Sequence, residues 1–197
     1  MSVTSIVSLV VLALVLFYLV SLYNKLVTLR NRFKNGFAQI DVQLQRRHEL
    51  IPNLVESAKA YMKHERETLE QVMAARTQAV SATRAASAHP EDGRAIKGLG
   101  TAEGVLNRAL ANFQAVAENY PDLKANTTIQ QLMEELTSTE NKVGFARQAY
   151  NDAVMQYHTA REQFPSNFVA GFFGFKPTEY LEIENEEAKK PVKVSFS

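Results

Sequence analysis

The chain of 197 residues has no cysteine and no tryptophan. Without cysteine it forms no disulfide, offers no thiolate to a metal and performs no thiol catalysis. Breakers are scarce, with 8 Gly and 6 Pro. The first Gly is Gly36 and the first Pro is Pro52, so nothing before Gly36 interrupts a helix. Excess charge of one sign is also missing. Lys and Arg total 22 and Asp and Glu total 21, a net charge of +1 that exerts no strong pull on nucleic acid. The histidines are His48, His64, His89 and His158, and neither the E-x-x-H pairs of di-iron bundles nor H-E-x-x-H is present. Gly98-Leu99-Gly100 with Gly104 misses the G-x-G-x-x-G spacing of a nucleotide loop, and G-x-S-x-G is absent. No cofactor, metal or catalytic residue is therefore expected.

What the chain does have is an apolar run at its N-terminus. Ile6 to Leu22 contains no charge, no Gly and no Pro. A helix from Val3 to Tyr23 rises roughly 30 Å, the thickness of a bilayer's hydrocarbon core. Tyr18 and Tyr23 lie near its exit, where amphipathic rings favour the interface. A cleaved signal peptide fits less well, because residues 1–5 carry no Lys or Arg and no A-x-A site follows. Lys25, Arg30, Arg32 and Lys34 follow the run directly. This basic collar predicts a single-pass protein with its N-terminus outside and its C-terminal side in the cytoplasm. The same four residues are the expected contacts to anionic head groups.

About 170 residues remain after the span, the size of one domain. Pro52, Pro90, Pro121 and Pro165 divide stretches rich in good helix formers. Apolar residues recur at heptad spacing in four sets. The first runs from Leu26 through Phe33, Phe37 and Ile40 to Leu44, the second from Leu54 through Leu69 to Val80. The third runs from Ile96 to Phe113, the fourth from Ile129 through Val143 to Tyr157. The fold class expected is all-α: a transmembrane helix (1–23) continuing as a stiff stalk into an antiparallel four-helix bundle with long, coiled-coil-like helices (24–180). A charged, flexible tail (181–197) follows, and Val192 to Phe196 alternates like a strand. Pro52 predicts that helix one kinks or stops near Glu49. Thr127 or Thr128 with a Gln three residues on predicts a capping box for the fourth helix.

Two features invite a functional reading. Arg47, Glu65, Arg76, Glu103 and Glu140 fall in or beside the apolar stripes, which predicts cross-helix ion pairs that fix register. The segment 164–175 reads FPSNFVAGFFGF. Its rings either strap the bundle or contact a membrane or partner. Phe168, Phe172, Phe173 and Phe175 are the expected oligomer or partner contacts.

Several stretches together resemble the LemA family. They are Tyr23-Asn24-Lys25-Leu26-Val27 with Leu29-Arg30-Asn31-Arg32, and Gln39-Ile40-Asp41-Val42-Gln43-Leu44 with Arg46-Arg47. Leu50-Ile51-Pro52-Asn53-Leu54-Val55, Asn119-Tyr120-Pro121-Asp122-Leu123-Lys124-Ala125-Asn126 and Ala146-Arg147-Gln148 with Tyr150-Asn151-Asp152-Ala153-Val154 match as well. Phe164-Pro165-Ser166-Asn167, Gly171 and Phe173-Gly174-Phe175-Lys176-Pro177 complete the signature. Phe37 stands where the family often has Trp, and Gly93 to Gly104 is less typical of it. The resemblance implies a bacterial inner-membrane protein with a cytoplasmic helical bundle, and it carries over no enzymatic activity or catalytic residue. A non-enzymatic scaffold that self-assembles on the membrane is the function expected, with lipid, its own copies and another membrane protein as partners. The rival expectation is an adaptor presenting clients to a membrane enzyme such as a protease.

Overall fold

The computed structural model describes residues 2–183. Among them are six helices and no strand: α1 (Val3–Lys59), α2 (Arg66–Ala88), α3 (Gly93–Ala117), α4 (Pro121–Ala125), α5 (Thr127–Glu162) and α6 (Ser166–Phe172). The alternating stretch Val192 to Phe196 lies outside the described residues, as does the tail beyond Ile183.

α1 is a single helix of 57 residues, about 85 Å long. Its first turns, through Ser21, are exposed, and this is the one described helix long and apolar enough to cross a membrane. From Leu22 onward one face is buried, at Leu22, Leu26, Phe33, Phe37, Ile40 and Leu44. The stalk expectation therefore holds, since the helix passes from apolar run to packed core without interruption.

Of the two outcomes expected near Glu49, a kink or a stop, the stop is not found. α1 continues through Pro52 to Lys59, and Ile51, Leu54, Val55 and Ala58 belong to it rather than to the next helix. Proline in a helix strips the carbonyl four residues earlier of its donor. Here that carbonyl is His48 O, and the Arg76 Nε–H of α2 donates to it at 2.6 Å. A charged donor from the neighbouring helix thus replaces the missing amide. The true break comes at residues 60–65, which contain neither Gly nor Pro. Its ends are held from outside: Tyr120 Oη donates to Glu65 Oε1 at 3.0 Å, and Asn126 Nδ2 donates to Tyr61 Oη at 2.9 Å.

The other boundaries follow local chemistry. Asp92 caps α3, its carboxylate accepting from the Arg94 amide at 2.9 Å, where His89 to Gly93 forms the expected turn. The cap of α5 is Asn126 and not a threonine; its Oδ1 accepts from the amides of Thr128 and Ile129. α6 ends in a Schellman motif: the Phe175 amide donates to Ala170 O at 2.9 Å, with Gly174 at φ 70° in the left-handed region.

α1 packs chiefly on α5 and then on α2, while α2 packs chiefly on α3. The buried apolar residues fall into two clusters. One holds Leu22 to Leu44, Ala86, Ile96, Leu99, Val143 to Ala160, and Val169, Ala170, Phe175 and Leu181. The other holds Ile51 to Met62, Leu69 to Ala79, Leu106 to Ala117, Leu123, Ile129 and Leu136. All four long helices contribute to both.

After α6 the chain returns as an extended strap. Side chains of α5 bind its backbone throughout. Arg161 Nε donates to Phe175 O, Tyr157 Oη to Lys176 O and Tyr150 Oη to Glu179 O. Asn151 clasps Leu181 on both sides, accepting its amide at 2.9 Å and donating to its carbonyl at 3.3 Å. Glycines in α3 make room opposite. A Cβ at Gly100 would sit 2.1 Å from Glu182 O, and one at Gly93 would sit 2.5 Å from Glu179 Cγ. Leu181 is buried, so the packed chain extends past the boundary at Tyr180 that the sequence suggested.

Candidate functional site

Two regions stand out: the end of the domain beside the apolar run, and a polar layer between the two apolar clusters.

At the first, α6 lies against α1 and α5. Its inner face is Ser166, Val169 and Ala170, all buried. Phe173 stacks edge-on against Tyr23 with ring centroids 4.9 Å apart, and Phe175 meets Tyr23 at 5.6 Å. α6 is therefore level with the last turn of the apolar run. The four expected contact rings part company here. Phe175 is buried in the chain's own core, with the Arg30 guanidinium 5.1 Å over its ring. Phe168, Phe172 and Phe173 are exposed, by 68%, 85% and 56%. Phe164, which the sequence did not single out, is 80% exposed and pairs with Phe168 at 5.9 Å. Its spacing four before Phe168, and eight before Phe172, was the available signal.

The basic collar also divides. Lys25 and Arg32 are exposed, Arg32 donating to Gln156 at 2.9 Å. Arg30 is half-buried over Phe175, with its Nε–H partnerless among the described residues. Lys34 is half-buried and paired with Glu91 at 2.9 Å, a contact that holds the Glu91 carboxyl below the usual range. Lys25 and Arg32 are thus the two exposed members of the collar.

The polar layer is built from all four long helices. On α1, Arg47 and His48 lie between Leu44 of one cluster and Ile51 of the other. On α3, Glu103 lies between Leu99 and Leu106. Buried Thr83 occupies the same position on α2 and buried Thr139 on α5; their hydroxyls donate to carbonyls of their own helices. Glu103 is fully buried, and both its oxygens are taken. Arg47 Nη1 donates to Oε2 at 3.1 Å, and His48 Nε2 lies 2.8 Å from Oε1. Arg47 Nη2 also donates to Asn107. The expected ion pair between stripes is thus real for Arg47 and Glu103. Arg76 serves the His48 carbonyl, Glu65 accepts from Tyr120, and Glu140 is exposed. His48 escaped sequence reasoning. The clue was its place four residues before Pro52. Among the described residues, no three His, Asp or Glu side chains converge as a metal-binding group.

Chemically, a carboxylate with both oxygens engaged and no exposed edge holds helices together and leaves no face for a substrate. Burial likewise governs the strap's anchors, raising the Tyr150 phenol to about 12 and also raising the Tyr157 phenol.

The magnetosome protein MamQ of Magnetospirillum gryphiswaldense is 28% identical over 188 residues, covering 87% of this chain and 69% of that protein. The magnetosome proteins MamQ 1 and MamQ 2 of Paramagnetospirillum magneticum are each 27% identical over 178 residues, covering 81% of this chain and 64% of theirs. The chain thus spans about two thirds of the length of these relatives. The model of the LemA family matches residues 36–196, most of the chain, and the chain belongs to the LemA family.

Proposed function

We propose that this protein is a membrane-anchored, non-enzymatic scaffold that assembles from parallel copies of itself. The observation that carries the reading is the continuity of α1. One helix runs from an exposed apolar run into the domain core without a break, so the domain's axis is fixed to the anchor's. Copies held in one membrane with a common axis meet at raised effective concentration, and heterologous contacts between them close into rings. Two further features support a mechanical role. The distribution of α1, α2, α3 and α5 over both apolar clusters fits an antiparallel four-helix bundle. Among the described residues the one fully buried carboxylate, Glu103, is committed to Arg47 and His48. The relatives are magnetosome proteins by name, which suits an organiser of a cellular structure.

The collar orients the protein with its domain in the cytoplasm of a bacterial inner membrane. Lys25 and Arg32 face anionic head groups there. A single Cys introduced at Glu91 resists an impermeant thiol reagent in intact cells on this reading, and labelling without lysis overturns the orientation. Self-assembly is tested by co-expressing two differently tagged copies. Recovery of both tags from detergent extracts supports the scaffold. Recovery of one tag alone, with the second copy replaced by another membrane protein, favours the adaptor reading.

A further inference from the structure

We propose that α6 is a second membrane contact: a short interfacial foot whose phenylalanines enter the head-group boundary of the leaflet from which α1 emerges. The inference rests on the anchored reading above and assigns Phe164, Phe168, Phe172 and Phe173 to lipid rather than to a neighbouring copy.

Position is the first argument. The apolar run ends at Tyr23, at the hydrocarbon boundary when α1 spans the core. The head-group layer beyond is roughly 5–8 Å deep. The Phe173 ring centroid is 4.9 Å from that of Tyr23, so it lies no further from this boundary than the depth of that layer. Phe172 packs edge-on against Phe173 at 5.0 Å.

Composition is the second. Residues 166–174 read SNFVAGFFG and carry no charge. The helix has two faces: Ser166, Val169 and Ala170 are buried on α1 and α5, while Phe168 and Phe172, four apart, point away. With Phe164 and Phe173 the outer rings leave on the order of 500–600 Å² of aromatic surface exposed. That equals the largest apolar patch of a typical soluble monomer, here concentrated on one turn-rich segment. Arg161 and Lys176 flank the segment in sequence, and Glu162 is the one acidic residue between them. Aromatic rings bordered by Lys and Arg are what an interfacial contact requires.

Rigidity is the third. The foot is not a loose tail. The Schellman turn at Gly174, the burial of Phe175 and the bond from Arg161 to Phe175 O hold it at a fixed height and angle. Two contacts, span and foot, then fix the domain's rotation about α1 as well as its depth.

The absence of tryptophan gives a direct test. Phe172→Trp introduces a sole reporter at a ring 85% exposed, so the fold is undisturbed. Phe145→Trp, 75% exposed on α5, is the water-facing control. Each full-length variant is placed in nanodiscs of phosphatidylcholine and phosphatidylglycerol, with and without lipids brominated high on the acyl chain. The foot predicts blue-shifted emission at 172 that is quenched by the brominated lipid and shielded from aqueous acrylamide, with the opposite pattern at 145. Quenching at 172 by acrylamide but not by bromine overturns the proposal in favour of solvent. Blue-shifted emission indifferent to both quenchers overturns it in favour of a protein contact. Particle mass, measured on the same samples, reads self-assembly separately: bromine quenching in a monomeric particle keeps the foot and removes the scaffold. Failure of the chain to enter the disc removes both.

Discussion

Removing the carboxylate of Glu103 is the sharpest perturbation of the fold. Glu103 is fully buried and neutralises Arg47, itself only 2% exposed. Glu103→Gln keeps shape and an acceptor oxygen but leaves the buried guanidinium with neutral partners alone, the Gln oxygen and Asn107. Breaking a buried pair from one side costs about 3–5 kcal/mol. For a chain of this size each kcal/mol moves the melting point by about 2–4 °C, so a drop of about 6–20 °C is expected. The companion variant removes the whole cluster: Arg47→Met, His48→Leu and Glu103→Leu together. No charge is then left unpaired, and the melting point returns to the parental value or rises. Thermal unfolding of the full-length protein in mild detergent, followed by far-ultraviolet circular dichroism, reads both. A single variant melting within about 2 °C of the parent would refute the claim that this pair closes the polar layer.

Three further outcomes follow from specific contacts. Arg76→Met should cost about 1–3 kcal/mol in the parent but little when Pro52→Ala has restored the amide donor to His48 O; equal costs in both backgrounds in urea titrations would separate Arg76 from the proline. Gly100→Ala places a methyl against the Glu182 backbone, so the Leu181 amide should exchange faster while those of α1 are unchanged; retained protection at Leu181 contradicts the packing of the strap. The Tyr150 phenol, raised by burial to about 12, keeps its proton longer in the folded than in the unfolded chain. Its stabilising effect is complete below pH 10 and is lost as pH rises from 10 to about 12, a loss of roughly 2–3 kcal/mol that Tyr150→Phe abolishes in melts across that range.

Much of the fold was legible because it depends on periodicity and on breakers. The absence of Gly before Gly36 made α1 continuous, and the heptad stripes named most of the core. The turn at His89 to Gly93 was visible in its residues. Pro52 does not stop the helix because Arg76, a residue distant in sequence, supplies the donor the proline lacks. For the same reason the break at 60–65 was invisible: Tyr120 and Asn126 hold it from another part of the chain. The tail's apolar character was plain, but its division was not. Burial of Phe175 and exposure of Phe172 depend on the turn at Gly174 and on the height of α6 against Tyr23. Likewise the collar read as four equivalent cations, while Lys34 has Glu91 and Arg30 has the Phe175 ring.

The central claim is that copies of this chain assemble through a rigid, membrane-fixed axis. Light scattering coupled to size exclusion, on the purified full-length protein in mild detergent and again in nanodiscs large enough for several spans, tests it directly. The account predicts a discrete particle containing several copies in both environments, formed without any other protein. A single copy per particle in both, becoming larger only when a second membrane protein is added, would contradict it.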